Sequence, residues 1–203
     1  TVSGSFLKGL KDLCEKHDLL LIFDEVQSGI GRSGHFLAHE SFEVRPDIVA
    51  LAKGLGNGFP IGACLATGRV AVCMVPGTHG STYGGNPLAC AIALETTKQI
   101  LKPKFLSSIG EKGDFFKKKL VTLLKKFPRE ISEVRGRGLM LGLKCVGKNV
   151  ILIDVCRKEK LLLVPGGDNT VRILPPLNIT YKEIETSTER LERALLKTSK
   201  CRE

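Results

Sequence analysis

Long apolar runs are missing from this sequence. None approaches the ~20 residues that a helix needs to cross a bilayer, so no membrane-spanning helix is predicted. No secretory signal or transit pattern is visible in the first residues. Hydrophobic residues make up 42% of the chain and charged residues 26%, which is too apolar for a disordered protein and ordinary for a globular one. We therefore expect a cytoplasmic globular protein that does not bind membranes.

Closely spaced cysteine pairs are also missing. The seven cysteines are scattered and none forms a C-x-x-C pair, which is typical of reduced thiols packed in a cytosolic protein rather than of a disulfide framework or a zinc site. Among the four histidines only His35 and His39 stand four residues apart, and no further ligand pattern lies near them. We predict no metal site.

Acidic residues are outnumbered, with 21 Asp and Glu against 31 Lys and Arg. The basic excess is concentrated between Lys102 and Arg137, as in a nucleic-acid-binding or anion-binding surface. The same residues alternate with apolar side chains at helical spacing, and neither an aromatic RNA-binding signature nor a helix-turn-helix pattern accompanies them. We favour a solvated helix face. The alternative, a basic nucleic-acid-binding module, predicts binding that weakens with salt.

The elements that are present alternate between helix and strand, which indicates an α/β fold. Ser3 is a predicted helix cap, and the apolar run LLLIFD that follows predicts a strand buried on both faces and ending at Asp24. DIVALA and IGACLAT predict two further strands around the loop GLGNGFP. The loop PGTHGSTYGGN leads to Asn86 and Pro87, a helix cap and a first helical residue, before the helix PLACAIALETTKQIL.

The pattern changes after Pro103. A long basic helix is predicted to about Phe127, followed by strands at ISEVRG, LMLGLKC, LLLV and VRILP and by helices at 150–158 and 181–197. We expect residues 1–102 to be part of a large sheet domain, residues 103–127 a linking helix and residues 128–203 a small α/β domain.

Three features carry candidate chemistry. Asp24 ends a predicted strand, where ligands of α/β sheets bind, and Lys53 follows a second strand and precedes a glycine-rich loop. Ser81 and Thr82 lie in a loop of small residues before a helix. Each has an ordinary explanation as a turn former or a solvated charge. Together they supply what a pyridoxal phosphate site needs: an amine for the aldehyde, an acid for the ring nitrogen and donors for the phosphate.

The stretches FDEVQSGIGRSG, PDIVALAKGLGNGFPIGACLAT and PGTHGSTYGGNPLACAIAL resemble, in this order, the class III aminotransferases of pyridoxal phosphate fold type I. Within that class, EVRGRGLMLGLKC and VPGGDNTVRILPPLNIT are most similar to the acetylornithine aminotransferases, and ornithine aminotransferases are close relatives. The resemblance covers essentially the whole chain. It implies the C-terminal part of a large, mostly parallel-sheet domain followed by the small C-terminal α/β domain.

The resemblance also implies roles for single residues. Lys53 matches the lysine that binds the cofactor aldehyde as a Schiff base and then shuttles a proton, and Asp24 matches the partner of the ring nitrogen. The other predicted cofactor-binding residues are Glu25 of the same segment, Val26 behind the ring, Gln27 at the phenolic oxygen, and Thr82 at the phosphate of the neighbouring subunit's cofactor. Ser81 and Arg172 match substrate contacts, and a planar guanidinium suits a carboxylate. A structural ion pair is the alternative for Arg172.

These matches predict a homodimeric aminotransferase of arginine biosynthesis that moves the terminal amino group of N-acetylornithine to 2-oxoglutarate, giving glutamate. Succinyl-diaminopimelate is a plausible second substrate. Ornithine or another omega-amino acid is the nearest alternative substrate. Family members are about twice as long, so we expect a C-terminal fragment that folds poorly or exposes apolar sheet surface and is inactive alone. A non-enzymatic remnant of a split or truncated gene is the other alternative.

Overall fold

The computed structural model describes residues 2–200, and the chain divides into two compact units, Thr1–Ser107 and Ser108–Glu203. Each unit contains helices packed with a β-sheet, which confirms the α/β fold class. Whether segments 1–102, 103–127 and 128–203 serve as parts of a larger two-domain fold stays a prediction.

The first unit is built around a three-stranded sheet. Its helices and strands, in chain order, are α1 (Gly4–Lys16), β1 (Ile22–Asp24), β2 (Ile48–Leu51), β3 (Ala63–Ala66), α2 (Gly68–Ala71) and α3 (Pro87–Ile100). The strand order is β1-β2-β3, with β1 parallel and β3 antiparallel to β2. The strands predicted at DIVALA and IGACLAT are thus confirmed, and the sheet is mixed.

Two helix starts follow their predicted caps. The Ser3 hydroxyl accepts a hydrogen bond from the Phe6 N–H at 3.2 Å, and the Asn86 side chain accepts one from the Ala89 N–H at 2.9 Å. Both bonds satisfy an N–H group that has no partner within its own helix. Pro87 occupies the first turn of α3, where its missing N–H does no harm. Residues 76–86 form the predicted irregular loop that leads to this cap.

The strand predicted over Leu19–Asp24 is the first correction. Only the last three residues of the run form a strand, and Ile22 is 57% exposed, so β1 is not buried on both faces. Within residues 2–200 no strand pairs with the outer edge of β1. Within this run, Leu21 is buried in a small apolar cluster with Leu7, Cys14 and Val44, and the partly buried Phe23 packs against that cluster. The apolar run therefore predicted more burial than the fold provides at these positions.

Asp47 ties the start of β2 to the segment before β1. Its carboxylate accepts a hydrogen bond from the Leu21 N–H at 2.9 Å and lies 3.6 Å from the ammonium of Lys11. The backbone hydrogen bond, followed by the charges of Lys11 and Arg69, lowers the pKa of Asp47 despite partial burial. These interactions favour the ionised carboxylate in the folded protein.

This lowered pKa makes the stability of the first unit dependent on pH. The stabilisation is complete above the unfolded-state pKa of Asp, about 3.9, and is lost as the pH falls through the lower folded-state pKa. We expect Asp47→Asn to lower the free energy of unfolding at pH 7. We also expect the acid limb, which is the fall of this free energy as the pH drops below about 4, to be less steep in the variant. Urea unfolding between pH 2 and pH 7, with the exposed Asp12→Asn as control, measures this. An acid limb equally steep in Asp47→Asn would contradict the prediction.

The second unit contains an antiparallel sheet of four strands. Its elements are α4 (Pro103–Lys126, which starts at the end of the first unit), β4 (Ile131–Arg137), β5 (Met140–Cys145), α5 (Asn149–Lys158), β6 (Val164–Gly166), β7 (Thr170–Ile173) and α6 (Tyr181–Lys200). The strand order is β4-β5-β7-β6. The three predicted helices are confirmed, and so are the strands at ISEVRG, LMLGLKC and VRILP.

The strand predicted at LLLV, residues 161–164, is the second correction. Only Val164 belongs to β6, and Leu162 is 82% exposed. The hairpin turn explains the shift, because Asp168 and Asn169 both have positive φ and set the register that pairs Val164–Gly166 with β7. Pro165 fits this position, since proline is tolerated on an edge strand.

The apolar face of α4 forms much of the second unit's core. Ile109, Phe116, Leu120 and Leu123 are all buried. Its basic residues contact neighbouring elements: the Lys117 ammonium donates to the Gly136 carbonyl, and Lys119 and Lys126 pair with glutamates of α6. These contacts support the interpretation of the basic stretch as a helix face.

No disulfide joins the six cysteines that the structure describes. Cys14, Cys145 and Cys156 are buried, whereas Cys64, Cys73 and Cys90 are exposed, so the predicted packing holds for three of six. Burial, followed by the proximity of Cys145, raises the pKa of Cys156 to about 12. Residues 2–200 contain neither a group of three or more potential metal ligands nor a helix long and apolar enough to cross a membrane.

Candidate active site

The carboxyl ends of β1 and β2 lie side by side. The strands are parallel, Asp24 is opposite Ala50, and the Glu25 N–H donates to the Ala50 carbonyl at 3.0 Å, which extends the pairing past Asp24. Lys53 follows Ala50 by three residues. The fold therefore brings the backbones of the acid and the lysine to the same edge of the sheet, where ligands of α/β sheets bind.

Asp24 has one carboxylate oxygen engaged locally. Its Oδ1 accepts a hydrogen bond from the Val26 N–H at 3.0 Å, an Asx turn that fixes the plane of the carboxylate. The residue is exposed in this chain. The second oxygen of an ionised carboxylate is thus able to accept a hydrogen bond from a ligand.

Lys53 begins a short 3₁₀ helix, Lys53–Gly56, with an uncommon backbone conformation. Its φ is +42°, in the left-handed region that non-glycine residues seldom adopt. The residue is exposed, and within residues 2–200 no side chain or carbonyl pairs with its ammonium. Such backbone strain is found preferentially at functional sites, and here it coincides with the predicted cofactor lysine.

Ile30 supports the residue after Lys53. A methyl group added to Gly54 would lie 3.3 Å from Ile30 Cβ, so the two residues are in close contact. Ile30 itself is 2% exposed with φ +53°, which is rare for a β-branched residue. The contact between Ile30 and Gly54 therefore lies directly beside Lys53, and both Ile30 and Lys53 have a left-handed backbone.

The residues after Asp24 have different environments. Val26 and Gln27 are half-buried directly after the Asp24 strand end. Glu25 is 3% exposed, and its carboxylate accepts hydrogen bonds from the N–H groups of Ala38 and His39 and from His39 Nδ1. Any contact of residue 25 with a cofactor would therefore involve its backbone. The cofactor roles of all three residues stay predictions.

Ser81 and Thr82 are exposed in the loop before α3. Ser81 lines a cavity of about 550 Å³ together with residues 60–64, His79, residues 83–86 and Ala89. Neither Asp24 nor Lys53 lines this cavity. Within residues 2–200 the Thr82 hydroxyl makes no hydrogen bond, so it is available to a ligand or another chain.

Arg172 lies on β7, in the second unit. Its Nε donates to the carbonyl of Pro165 on the neighbouring strand at 3.0 Å. This bond holds the base of the guanidinium against the hairpin. The predicted contact with a substrate carboxylate stays a prediction.

His39 is the site-proximal residue that the sequence analysis missed. Its spacing from His35 suggests only metal binding, whereas its Nδ1 lies 2.8 Å from Glu25 Oε1. Glu25 itself is the sequence signal for this contact. An acidic residue that directly follows an apolar strand is expected to be buried, and a buried carboxylate requires hydrogen-bond donors.

The residues present fit pyridoxal phosphate. The exposed carboxylate of Asp24, with one oxygen already hydrogen-bonded, suits a protonated ring nitrogen. The amine of Lys53, which has no partner within residues 2–200, suits the aldehyde. The hydroxyl of Thr82, which makes no hydrogen bond within those residues and lies in a glycine-rich loop, suits a phosphate oxygen. The donor set and the sheet edge agree with a cofactor enzyme rather than with a metal site.

Comparison with known proteins identifies the class. The family model of class III aminotransferases (Aminotransferase class-III) matches residues 1–195. The chain therefore belongs to the class III aminotransferases, which are pyridoxal phosphate-dependent enzymes.

Acetylornithine and ornithine aminotransferases are both among the proteins similar to this chain. Acetylornithine aminotransferase 1 of Bradyrhizobium diazoefficiens is 50% identical over 194 residues, which cover 96% of this chain and 48% of that protein. Among solved structures, the ornithine aminotransferase of Toxoplasma gondii superposes with a TM-score of 0.91 at 35% identity, covering 98% of this chain and 48% of that one. The N-acetylornithine aminotransferase of Stenotrophomonas maltophilia gives 0.88 at 36%, covering 99% and 53%. The chain spans about half the length of the relatives it matches.

Proposed function

We propose that this chain is the lysine-bearing part of an acetylornithine aminotransferase, a cytoplasmic homodimer that transfers the terminal amino group of N-acetylornithine to 2-oxoglutarate. The observation that carries the proposal is the adjacency of the β1 and β2 ends, which present Asp24 and precede Lys53. Identities of 47–50% to several acetylornithine aminotransferases support the choice of substrate.

Lys53 is the residue proposed to form the covalent bond and to move the proton. The bound cofactor supplies an aldehyde that takes up the amino group and a ring that withdraws electrons from the reacting carbon. The neutral Nζ of Lys53 would be the nucleophile toward that aldehyde. Once released, the same Nζ would take a proton from the substrate carbon that carries the amino group and deliver it to the cofactor.

Asp24 is proposed to hold a proton on the ring nitrogen. Its negative charge stabilises a positive ring nitrogen, and the Val26 N–H fixes the carboxylate plane. Val26 and Gln27 follow at positions proposed to contact the ring face and the phenolic oxygen.

Thr82, Ser81 and Arg172 are proposed to complete the site. Thr82, exposed in its loop, would donate to the phosphate of the neighbouring subunit's cofactor, which makes the dimer necessary for activity. Ser81 would contact the substrate beside it. The guanidinium of Arg172 would receive a substrate carboxylate, because its planar donors match two carboxylate oxygens.

Ornithine is the second candidate substrate. Solved ornithine aminotransferases superpose on the chain as well as N-acetylornithine aminotransferases do. Asp24, Lys53 and Thr82 are proposed to contact the cofactor, which both reactions share. They therefore do not discriminate between N-acetylornithine and ornithine.

Donor preference tests the proposal. With 2-oxoglutarate as acceptor, we expect the complete polypeptide that contains this chain to show a kcat/KM for N-acetylornithine at least about tenfold above that for ornithine, since recognising an acyl group requires dedicated hydrogen bonds. Initial rates with both donors, and with succinyl-diaminopimelate, measure the ratio. The reverse ratio would select the ornithine alternative, and no turnover with any donor would refute both.

A further inference from the structure

Glu25 is a buried carboxylate, and both of its oxygens accept hydrogen bonds from the protein. It is 3% exposed, and it accepts hydrogen bonds from the Ala38 N–H at 2.6 Å, the His39 N–H at 2.9 Å and His39 Nδ1 at 2.8 Å. Because both carboxylate oxygens already accept backbone N–H groups, Nδ1 is assigned as a third donor to Glu25. A carboxyl group this deeply buried requires such a set of donors.

The backbone of Glu25 is fixed as firmly as its side chain. Its N–H donates to the Ala50 carbonyl and its carbonyl accepts from the Gly29 N–H, both at 3.0 Å. A methyl group on Gly29 would lie 2.9 Å from the Glu25 carbonyl oxygen and 3.0 Å from Oε2, so Gly29 packs closely against both the backbone and the side chain of Glu25. Residue 25 is therefore held on both of its peptide groups and at its carboxylate.

This anchoring bears directly on Asp24. The N–H that fixes the Asp24 carboxylate belongs to Val26, on the peptide bond that joins residues 25 and 26. The carbonyl of the same peptide bond accepts from the Gly29 N–H, so the direction of the Val26 N–H depends on how residue 25 is held. A change in the Glu25 side chain would therefore act on the Asp24 carboxylate through a single peptide bond.

We propose that Glu25 and His39, the Glu25–His39 pair, position Asp24 for the ring nitrogen of the cofactor. The inference rests on the proposed function and adds two positioning residues to it. Stability alone gives a poor reason for the pair, because replacing two hydrogen-bonded partners by apolar groups of the same shape is often nearly neutral for stability. Adjacency to Asp24 gives a functional reason.

The chain offers a matched set of variants. His39→Phe keeps an aromatic ring against Phe23, whose centroid lies 5.8 Å from that of His39, and removes the Nδ1 donor. His39→Asn carries an amide N–H near the position of Nδ1. Glu25→Gln turns an N–H group toward the donors of residues 38 and 39. His35→Phe, at an exposed histidine four residues earlier in the segment between β1 and β2, is the control.

The experiment measures pyridoxal phosphate binding and backbone order on the complete polypeptide that contains this chain. We expect His39→Phe and Glu25→Gln to weaken cofactor affinity roughly tenfold, as loss of an orienting hydrogen bond does in other sites, and to shift the absorbance of the bound cofactor. They should also speed hydrogen exchange of the Val26 amide in the cofactor-free protein. His39→Asn should restore affinity to within about threefold of the wild type, and His35→Phe should match the wild type.

A double-mutant cycle separates positioning from general stability. If the pair acts through Asp24, His39→Phe should weaken cofactor binding no further in an Asp24→Ala background. Additive losses, or unchanged affinity in both His39→Phe and Glu25→Gln, would overturn the inference. If His39→Phe does not fold, His39→Gln, whose amide lies near the Nε2 position, replaces it with the same expectation.

The inference and the proposed function fail in different ways. A wild-type protein that binds no pyridoxal phosphate refutes the proposed function, and the cofactor role of the pair with it. A wild type that binds normally while the His39 and Glu25 variants also bind normally refutes the positioning role alone.

Discussion

Lys53→Ala is expected to abolish covalent retention of pyridoxal phosphate and to lower transamination by about 10³-fold or more. Lys53 combines a left-handed backbone with an ammonium that has no partner in the described chain, at the sheet edge where Asp24 also ends its strand. Borohydride reduction followed by peptide mass spectrometry measures the attachment. The cofactor mass should appear on the peptide that contains Lys53 and be missing from the variant.

Two lysine variants make this measurement specific. Lys98→Ala removes an exposed lysine of α3 and should leave both attachment and activity at the wild-type level. Lys53→Arg keeps a positive charge but supplies no neutral amine, so it should behave like Lys53→Ala. Cofactor retained on another lysine in the Lys53→Ala variant would contradict the assignment.

Gly113→Ala is expected to destabilise the second unit by about 3 kcal/mol, the upper part of the range for overpacking. A methyl group at this position of α4 would lie 2.4 Å from the carbonyl oxygen of Gly138 and 2.5 Å from its carbonyl carbon. Both atoms belong to the backbone of the turn between β4 and β5, so no side chain is able to rotate away. The helix and the turn would have to separate, which would also disturb the burial of Phe116 and Leu139.

The same helix supplies the control. Gly110 also lies within α4, and a methyl group there would meet no atom within 4 Å. Gly110→Ala should therefore raise the free energy of unfolding by up to about 1 kcal/mol, because alanine favours the helix. Urea unfolding of both variants gives the comparison. Equal effects at positions 110 and 113 would show that the close approach to Gly138 is unimportant.

Helix ends and loops were predictable from the sequence because their signals are local. Ser3 and Asn86 cap the helices that follow them, and Pro87 occupies the first turn. The strands at DIVALA and IGACLAT were found for a similar reason, since each apolar run is bounded by glycine or proline. The class of the site followed from Asp24, Lys53 and Thr82 in order, together with the resemblance of the segments around them.

Features that depend on distant partners were predicted less well. The segments Leu19–Asp24 and 161–164 are both rich in leucine, and this composition predicts strands over their whole length. Only the residues that pair with a neighbouring strand form one, namely Ile22–Asp24 and Val164. The bond between His39 and Glu25 joins residues fourteen apart and leaves no periodic pattern. In each case the sequence indicates a requirement for burial or hydrogen bonding without naming the residue that meets it.

The outer edge of β1 affects how measurements on this chain should be interpreted. In the described residues its backbone lacks a neighbouring strand, and Leu19, Leu20 and Ile22 stand exposed beside it. Such an edge is a template on which another copy can add a strand. Pairing of the β1 edges of two copies would give a dimer of these 203 residues that does not involve Thr82. A light-scattering mass above that of one chain would accordingly say nothing about the pairing through Thr82.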